Sequence, residues 1–277
     1  MCILFIYVNN NGEPGHGEYK LILASNRDEH YIRPAKTAAP WEERPHVIGG
    51  RDMEPGREGG TWLAIGARDG VIRVGALLNV AGESKANGVT GRGPIVSDYV
   101  SGTTPNEEYS KQLLAKDTYG PFNFISVELD AAGGASVLYA SNAPHKIDHC
   151  DLREPLGFGN STLDAPLEKV KYGRKLFGNI VDKRLKIDNK DALVNELLDL
   201  LRSNEKYFPD AELSRRAPNS AEKLASINVY FPEYGYGSRT RTIILVDHEN
   251  RMEFIEETMT STNPDGEWER THIERQF

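Results

Sequence analysis

Cys2 offers the sharpest chemistry in the sequence. Removal of Met1 is expected because the side chain behind it is small, and Cys2 then presents a thiol and a free α-amine. Their reference pKa values are about 8.5 and about 7.7–8.0. Near neutral pH such an amine can take the thiol proton, directly or through water, so one residue supplies both attacker and base. A second cluster, Asn26-Arg27-Asp28-Glu29, ends the next apolar segment. A hairpin turning at residues 9–17 returns residues 25–28 to the side of Cys2. An arginine there favours the thiolate. An aspartate there holds the α-amine by a charge-assisted hydrogen bond. Adjacent strand residues point to opposite faces, so regular geometry aims only one of Arg27 and Asp28 at the thiol.

Positioning these groups requires strands. Cys2–Val8 and Tyr19–Ser25 read as the opening hairpin. Residues 30–60, with Pro34, Pro40, Pro45 and Pro55, read as a long loop. A second hairpin turns at Asp69-Gly70 between Thr61–Gly66 and Val71–Val80. One helix is expected from Pro94 to Val100. Another has Thr104 as N-cap and Pro105 as first residue, and stops before Gly120-Pro121. Phe122–Glu128 and Ala135–Ala140 pair next. Helical spacing follows at Leu167–Leu185 and Asp191–Leu201, and strands return at Ile227–Phe231, Thr242–Val246 and Met252–Glu257. Helices in consecutive pairs between groups of strands argue for antiparallel sheets covered by helix pairs, not for a doubly wound parallel sheet. Two sheets face to face with helices outside also explain nearly continuous apolar strands.

Composition sets the bounds. The 277 residues carry 33 Lys and Arg against 41 Asp and Glu, a net charge of −8, which argues against a nucleic-acid surface. Two cysteines cannot form a disulfide framework and fit a reducing compartment. No apolar run reaches the ~18 residues of a bilayer span. The short apolar N-terminus lacks the features of a secretory signal or a transit peptide. No internal repeat and no separating linker is present, so a single domain over 1–277 is expected.

The ordered set of motifs resembles a known family. Met1-Cys2 opens a strand, Asn26-Arg27-Asp28-Glu29 ends the next, and Gly59-Gly60-Thr61-Trp62-Leu63 enters the third. Asn79 follows Leu77-Leu78. Asn160-Ser161 is followed by Asp164-Ala165-Pro166 and Lys169-Val170, and Tyr236-Gly237-Ser238-Arg239-Thr240 precedes an apolar strand. Together these are similar to the NRDE family, also called the transport and Golgi organisation family. The resemblance implies an α+β, four-layer αββα sandwich of the N-terminal nucleophile hydrolase-like type. It implies cysteine acylases of bile-acid or penicillin amides as chemical relatives. By that likeness Asn79 helps build an oxyanion hole, Asn142 in Ser141-Asn142-Ala143-Pro144 supplies a second site asparagine, and Arg241 or Arg239 supplies a C-terminal site arginine. In those acylases the arginine stands three residues before the aspartate, whereas Arg27 directly precedes Asp28.

The family is also implied to act in intracellular haem trafficking, with lipid and acyl-thioester homeostasis as a further proposal. Haem as a transported ligand turns attention to His145, His149 and Cys150, expected in a turn between a strand and a helix, because His and Cys ligate haem iron. Arg51 and Arg57 in a Gly-rich loop could receive propionates bidentately. No metal or nucleotide is expected. The partner is a small molecule, either haem or an acyl or amide compound, with transient membrane contact and no nucleic acid. The expected location is cytoplasmic, with mitochondrial or Golgi association. The alternative function is a cysteine amidohydrolase or thioesterase using Cys2.

Overall fold

A computed structural model describes residues 2–10, 16–83, 91–116, 118–130 and 133–277. Met1 and part of the turn expected at 9–17 lie outside the described residues. The chain divides into two compact units, one of Met1–Ile32 with Leu152–Phe277, the other of Arg33–Asp151. It enters the first with β1 (Ile3–Val8) and β2 (Tyr19–His30). It builds the second from β3 (Ala35–Trp41), β4 (Arg44–Asp52), β5 (Leu63–Arg68), β6 (Val71–Asn79), α1 (Gly93–Ser101), α2 (Asn106–Leu114), β7 (Phe122–Leu129), β8 (Ala135–Asn142) and β9 (His145–His149). It returns to the first with β10 (Leu156–Phe158), α3 (Glu168–Arg184), α4 (Lys190–Leu201), α5 (Ala211–Arg216), β11 (Tyr230–Phe231), β12 (Tyr236–Asp247), β13 (Arg251–Met259) and β14 (Trp268–Gln276).

In the first unit the strands form one antiparallel sheet in the order β10-β1-β2-β12-β13-β14, with β11 paired to β12. Ile3 lies opposite Asn26, and the ladder runs back to Val8 opposite Leu21. Strand alternation then separates the faces. Phe5 stacks on Phe177 of α3, with ring centroids 5.7 Å apart, so Ile3, Phe5, Ala24 and Asn26 share the face covered by helices. Leu4, Ile6, Leu21 and Leu23 share the other face and are fully buried as well. Burial of both faces is why β2 and β12 read as unbroken runs and show no apolar–polar alternation.

The second unit is a sheet in the order β3-β4-β5-β6-β7-β8-β9, antiparallel throughout. Asp69 and Gly70 turn between β5 and β6 with φ of 53° and 76°, the double left-handed conformation of a type I′ hairpin. Helix α1 lays Ile95, Val96, Tyr99 and Val100 on Trp41, Val47, Ala64 and Phe124 of the sheet. The Tyr99 hydroxyl donates to Val127 O at 3.1 Å, so the ring is buried without stranding its polar end.

Several sequence expectations are corrected. The long loop at 30–60 contains the β3–β4 hairpin. Its prolines are tolerated because Pro40 lies on the edge strand and Pro45 is the second residue of β4, beside the turn. The N-cap of α2 is Pro105, not Thr104. Residues 145–149 are edge strand β9, not a turn. Only Tyr230–Phe231 of the expected strand 227–231 pairs. Strand β14 and helix α5 were not foreseen, because β14 is an exposed edge with little apolar signal and α5 has only six residues.

Gly173 on α3 faces the Phe5 ring so closely that a Cβ there would collide with Cζ. Helix propensity alone favours Gly173→Ala by ~1 kcal/mol. Here the added methyl overpacks a locked aromatic pair, so Gly173→Ala is expected to lower stability by about 1–3 kcal/mol in urea denaturation. A more stable variant contradicts this packing.

Candidate functional site

Strands β1, β2 and β12 bring the first-unit candidates to one end of the sheet. The Cys2 Sγ donates to Asp28 O at 3.8 Å, and the Tyr236 hydroxyl donates to the same carbonyl at 3.3 Å. The β1–β2 ladder ends at Ile3 opposite Asn26, with Cys2 and Arg27 the next residues of each chain segment. The Arg27 charge acts on the thiol. The Asp28 carboxylate is buried and turns to β12, where Ser238 Oγ donates to Oδ1 at 2.5 Å. Ser238 Oγ in turn accepts from Val229 N at 2.9 Å, which fixes the direction of its own proton toward Asp28. A bulge between Ser238 and Thr240 shifts the β2–β12 register at this point. Arg239 falls at this shift, and its Nη1 donates to His30 O and Tyr31 O, both at 3.0 Å.

Electrostatics follow from burial. Loss of water pushes the Cys2 thiol up, and the Asp28 charge adds to this, while Arg27 acts in the opposite sense. Burial also raises Asp28, partly countered by the Lys169 charge and the Ser238 hydrogen bond. Tyr236 is held well above its usual range, first by burial and then by Asp28 and Cys2. Lys169, fully buried, is pushed down by burial and drawn back up by Asp28, Cys2 and Asp210. A partly exposed thiol and phenol thus share one electrostatic cluster with a buried carboxylate and a buried ammonium.

The remaining candidates divide between the units. Asn26 is fully buried on the helix face and donates Nδ2 to Leu201 O at 2.8 Å and Ile227 O at 3.0 Å, so it ties β2 to α4 and to the segment before β11. Arg241 binds Glu257 at 3.4 Å and Asn228 at 3.2 Å beneath the Trp268 ring. In the second unit Asn79 stands exposed at the end of β6. Asn142 accepts from Phe122 N at 2.8 Å and donates to Tyr119 O at 3.2 Å, closing the turn into β7. Arg51 is engaged by Glu43 at 2.5 Å and covers the Trp41 ring, while Arg57 is exposed in the loop after β4. His145 and His149 are exposed on β9. Four residues apart on a strand, they stand about 13 Å from each other and cannot share one iron. The sequence reading passed over Ser238, Tyr236 and Lys169 as site residues although it quoted all three within motifs. The missed signal was a lysine bordering the apolar stripe Val170–Phe177.

Two antiparallel sheets with pairs of helices define a fold class. Penicillin V acylase from Agrobacterium tumefaciens matches with a TM-score of 0.50 at 12% identity, covering 95% of this chain and 84% of that one. The chain therefore has an α+β fold of the N-terminal nucleophile hydrolase-like type. A family model described as Transport and Golgi organisation 2 matches residues 1–261. The chain is 48% identical to Transport and Golgi organization protein 2 of Drosophila melanogaster over 284 residues, spanning 100% of this chain and 99% of that protein. It is 33% identical to the Homo sapiens homolog over 264 residues, spanning 94% and 93%. It belongs to the Transport and Golgi organisation 2 family. Among the described residues no helix is long and apolar enough to cross a membrane.

The raised Asp28 fixes the sign of a pH effect. The folded state binds this proton more tightly than the unfolded chain does. The associated stability is full below the unfolded carboxyl value of about 3.9 and is lost as pH rises through the folded one. Asp28→Asn removes this loss. Urea midpoints measured from pH 4 upward should therefore fall more steeply for the wild type than for the variant, and a constant difference between the two contradicts a buried, raised carboxyl.

Proposed function

We propose that the chain is a cysteine-dependent acyl-transfer enzyme that hydrolyses an amide or thioester through Cys2. The observation that carries this reading is the Cys2 thiol set against Asp28, whose carboxylate is itself oriented by Ser238. The Asp28 main chain meets the thiol while Ser238 fixes its side chain, so a held acid stands next to the nucleophile the reading requires.

The mechanism follows from those groups. It requires Cys2 to be the first residue of the mature protein, so that its α-amine takes the thiol proton. The sulfur then bonds to the substrate carbonyl carbon. The bond from that carbon to the leaving nitrogen or sulfur breaks, and the proton passes from the α-ammonium to the leaving group. Water attacks the resulting acyl-cysteine, releasing a carboxylic acid and restoring the thiol. Asp28 anchors the ammonium and holds it in line. The Arg27 charge favours the thiolate.

Haem trafficking is the second reading, and its support is the family resemblance. Of the residues expected to serve it, Arg51 is engaged with Glu43 and the two histidines lie apart on an exposed edge, so the geometry favours the thiol reading. A haemin titration with a saturable Soret shift at one equivalent would restore it.

The test uses full-length protein. Intact mass should show Met1 absent, and an electrophilic acyl probe should label Cys2 in the wild type and not in Cys2→Ala. Against an amide and thioester panel, Cys2→Ser should reduce turnover by roughly a hundred-fold or more, since a hydroxyl is a far weaker nucleophile than the thiol in a site arranged for sulfur. A retained Met1, or turnover unchanged in Cys2→Ala, overturns the reading.

A further inference from the structure

Lys169 is hard to explain as a scaffold residue. It is the second residue of α3 and has 0% of its surface exposed. A cation in the first turn opposes the helix dipole, and a buried ammonium gives up its hydration. A methionine would fill the same space at neither cost. Its one hydrogen bond among the described residues goes to Ser226 O at 3.0 Å, which uses one of three donors.

Its surroundings give the reason. On one side stands Asp210, buried, which accepts from Glu168 N at 2.7 Å through Oδ2 and from Leu213 N at 2.8 Å through Oδ1. Asp210 therefore caps α3 and α5 together and offsets the dipole at the point where Lys169 enters. On the other side, the segment 226–229 links Lys169 to the thiol site. Lys169 holds Ser226 O, Asn26 holds Ile227 O, and Ser238 takes Val229 N while donating to Asp28. Among the described residues the charged and titratable groups around the site include Cys2, Arg27, Asp28 and Glu29 at the ends of β1 and β2, Tyr31 just beyond β2, Tyr236 from β12, Asp210 before α5, and Lys169 itself. Lys169 acts on both Asp28 and Cys2.

We propose that Lys169 is a positioning residue of the thiol site: its buried ammonium is the fixed counter-charge that keeps the Asp28 carboxylate ionised and aligned beside Cys2. The inference rests on the reading of Cys2 as a nucleophile. It also explains why the 226–229 segment is pinned at three successive points, because movement of that segment would shift the cation and the Ser238 hydroxyl together.

The experiment compares full-length wild type, Lys169→Met, Asp28→Asn and the double variant. Its first readout is the pH profile of Cys2 alkylation by iodoacetamide, followed by peptide mass spectrometry. In the Asp28→Asn background, where no carboxylate can neutralise in response, loss of the cation should move the midpoint up by about one unit, read as roughly ten-fold slower alkylation below it. A merely structural lysine would leave that midpoint in place. The second readout is thermal stability. If Lys169 and Asp28 are a pair, the double variant should be more stable than the two single losses add to. Recovery of folding in the double variant where Lys169→Met alone does not fold supports the pair as well. An unmoved midpoint, additive losses, or a double variant that fails to fold as the single does overturns the proposal. Active acyl transfer with an unmoved midpoint removes Lys169 and leaves the enzyme. A moved midpoint with no turnover on any acyl substrate removes the enzyme and leaves the charge pair.

Discussion

A carboxylate withdrawn from water is the constraint around which the first unit is arranged. Asp28 lies in a strand buried on both faces, where an isolated charge would cost several kcal/mol. Such a group persists only if every neighbour serves it. Ser238 gives it a hydrogen bond, and the orientation of that hydroxyl is enforced by Val229 N. The Lys169 charge opposes the rise that burial imposes. Asp210 allows the lysine to sit where a helix dipole would otherwise reject it. Removing any one member leaves the others with uncompensated polar groups, so these residues form one unit.

The β2–β12 pairing turns that requirement into geometry. A regular ladder would keep Ser238, Arg239 and Thr240 in strict alternation. The bulge inserts one residue, so Ser238 meets Asp28 while Thr240 meets Arg27 and Arg241 meets Asn26. Arg239 is then spent on the carbonyls of His30 and Tyr31, which secures the end of β2 just beyond the acid. A local irregularity in the middle of a sheet thus re-aims one side chain and fixes the strand end that it faces.

Much of this was legible in the sequence. Cys2, the Asn26–Glu29 cluster, the hairpin joining them and the paired helices follow from residue type, spacing and periodicity, since each depends on local rules. The sequence pointed to residue 28 as a neighbour of Cys2 but not to which of its groups would face the thiol. The thiol meets the Asp28 carbonyl, and the side chain turns to β12, a partner more than 200 residues away whose register includes a bulge. Asn142 carries the polar groups of a site asparagine, but Tyr119, Gly120 and Phe122 use them in a turn. Prolines disguised the β3–β4 hairpin because an edge strand accepts them. β14 was hidden by its exposure, since a strand that buries little shows no apolar signal.

The central strands also divide along their length in a way that no single strand reveals. In β2 the apolar run Leu21–Ala24 gives way to Ser25-Asn26-Arg27-Asp28, and in β12 Ile243–Val246 is preceded by Ser238–Thr242. In β13 Phe254-Ile255 passes to Glu256-Glu257-Thr258. The registers align these transitions, for Thr242 pairs with Ser25 on one side and Glu256 on the other. One line across β2, β12 and β13 therefore separates an apolar half from a polar half. The polar half is no less buried, with Asn26 and Thr240 at 0% and Glu256 at 1% exposure. Hydrophobic burial cannot account for it, because polar groups lower stability when withdrawn from water. Hydrogen bonds such as Thr258 to Thr240 and Glu256, or Arg241 to Glu257 and Asn228, offset that loss without producing a gain. A fold under pressure for stability alone would continue the apolar run to the strand ends. The polar half is where the chain gives up packing, and the Cys2 thiol reaches the Asp28 carbonyl at its end, which fits the proposed use of Cys2 as a nucleophile.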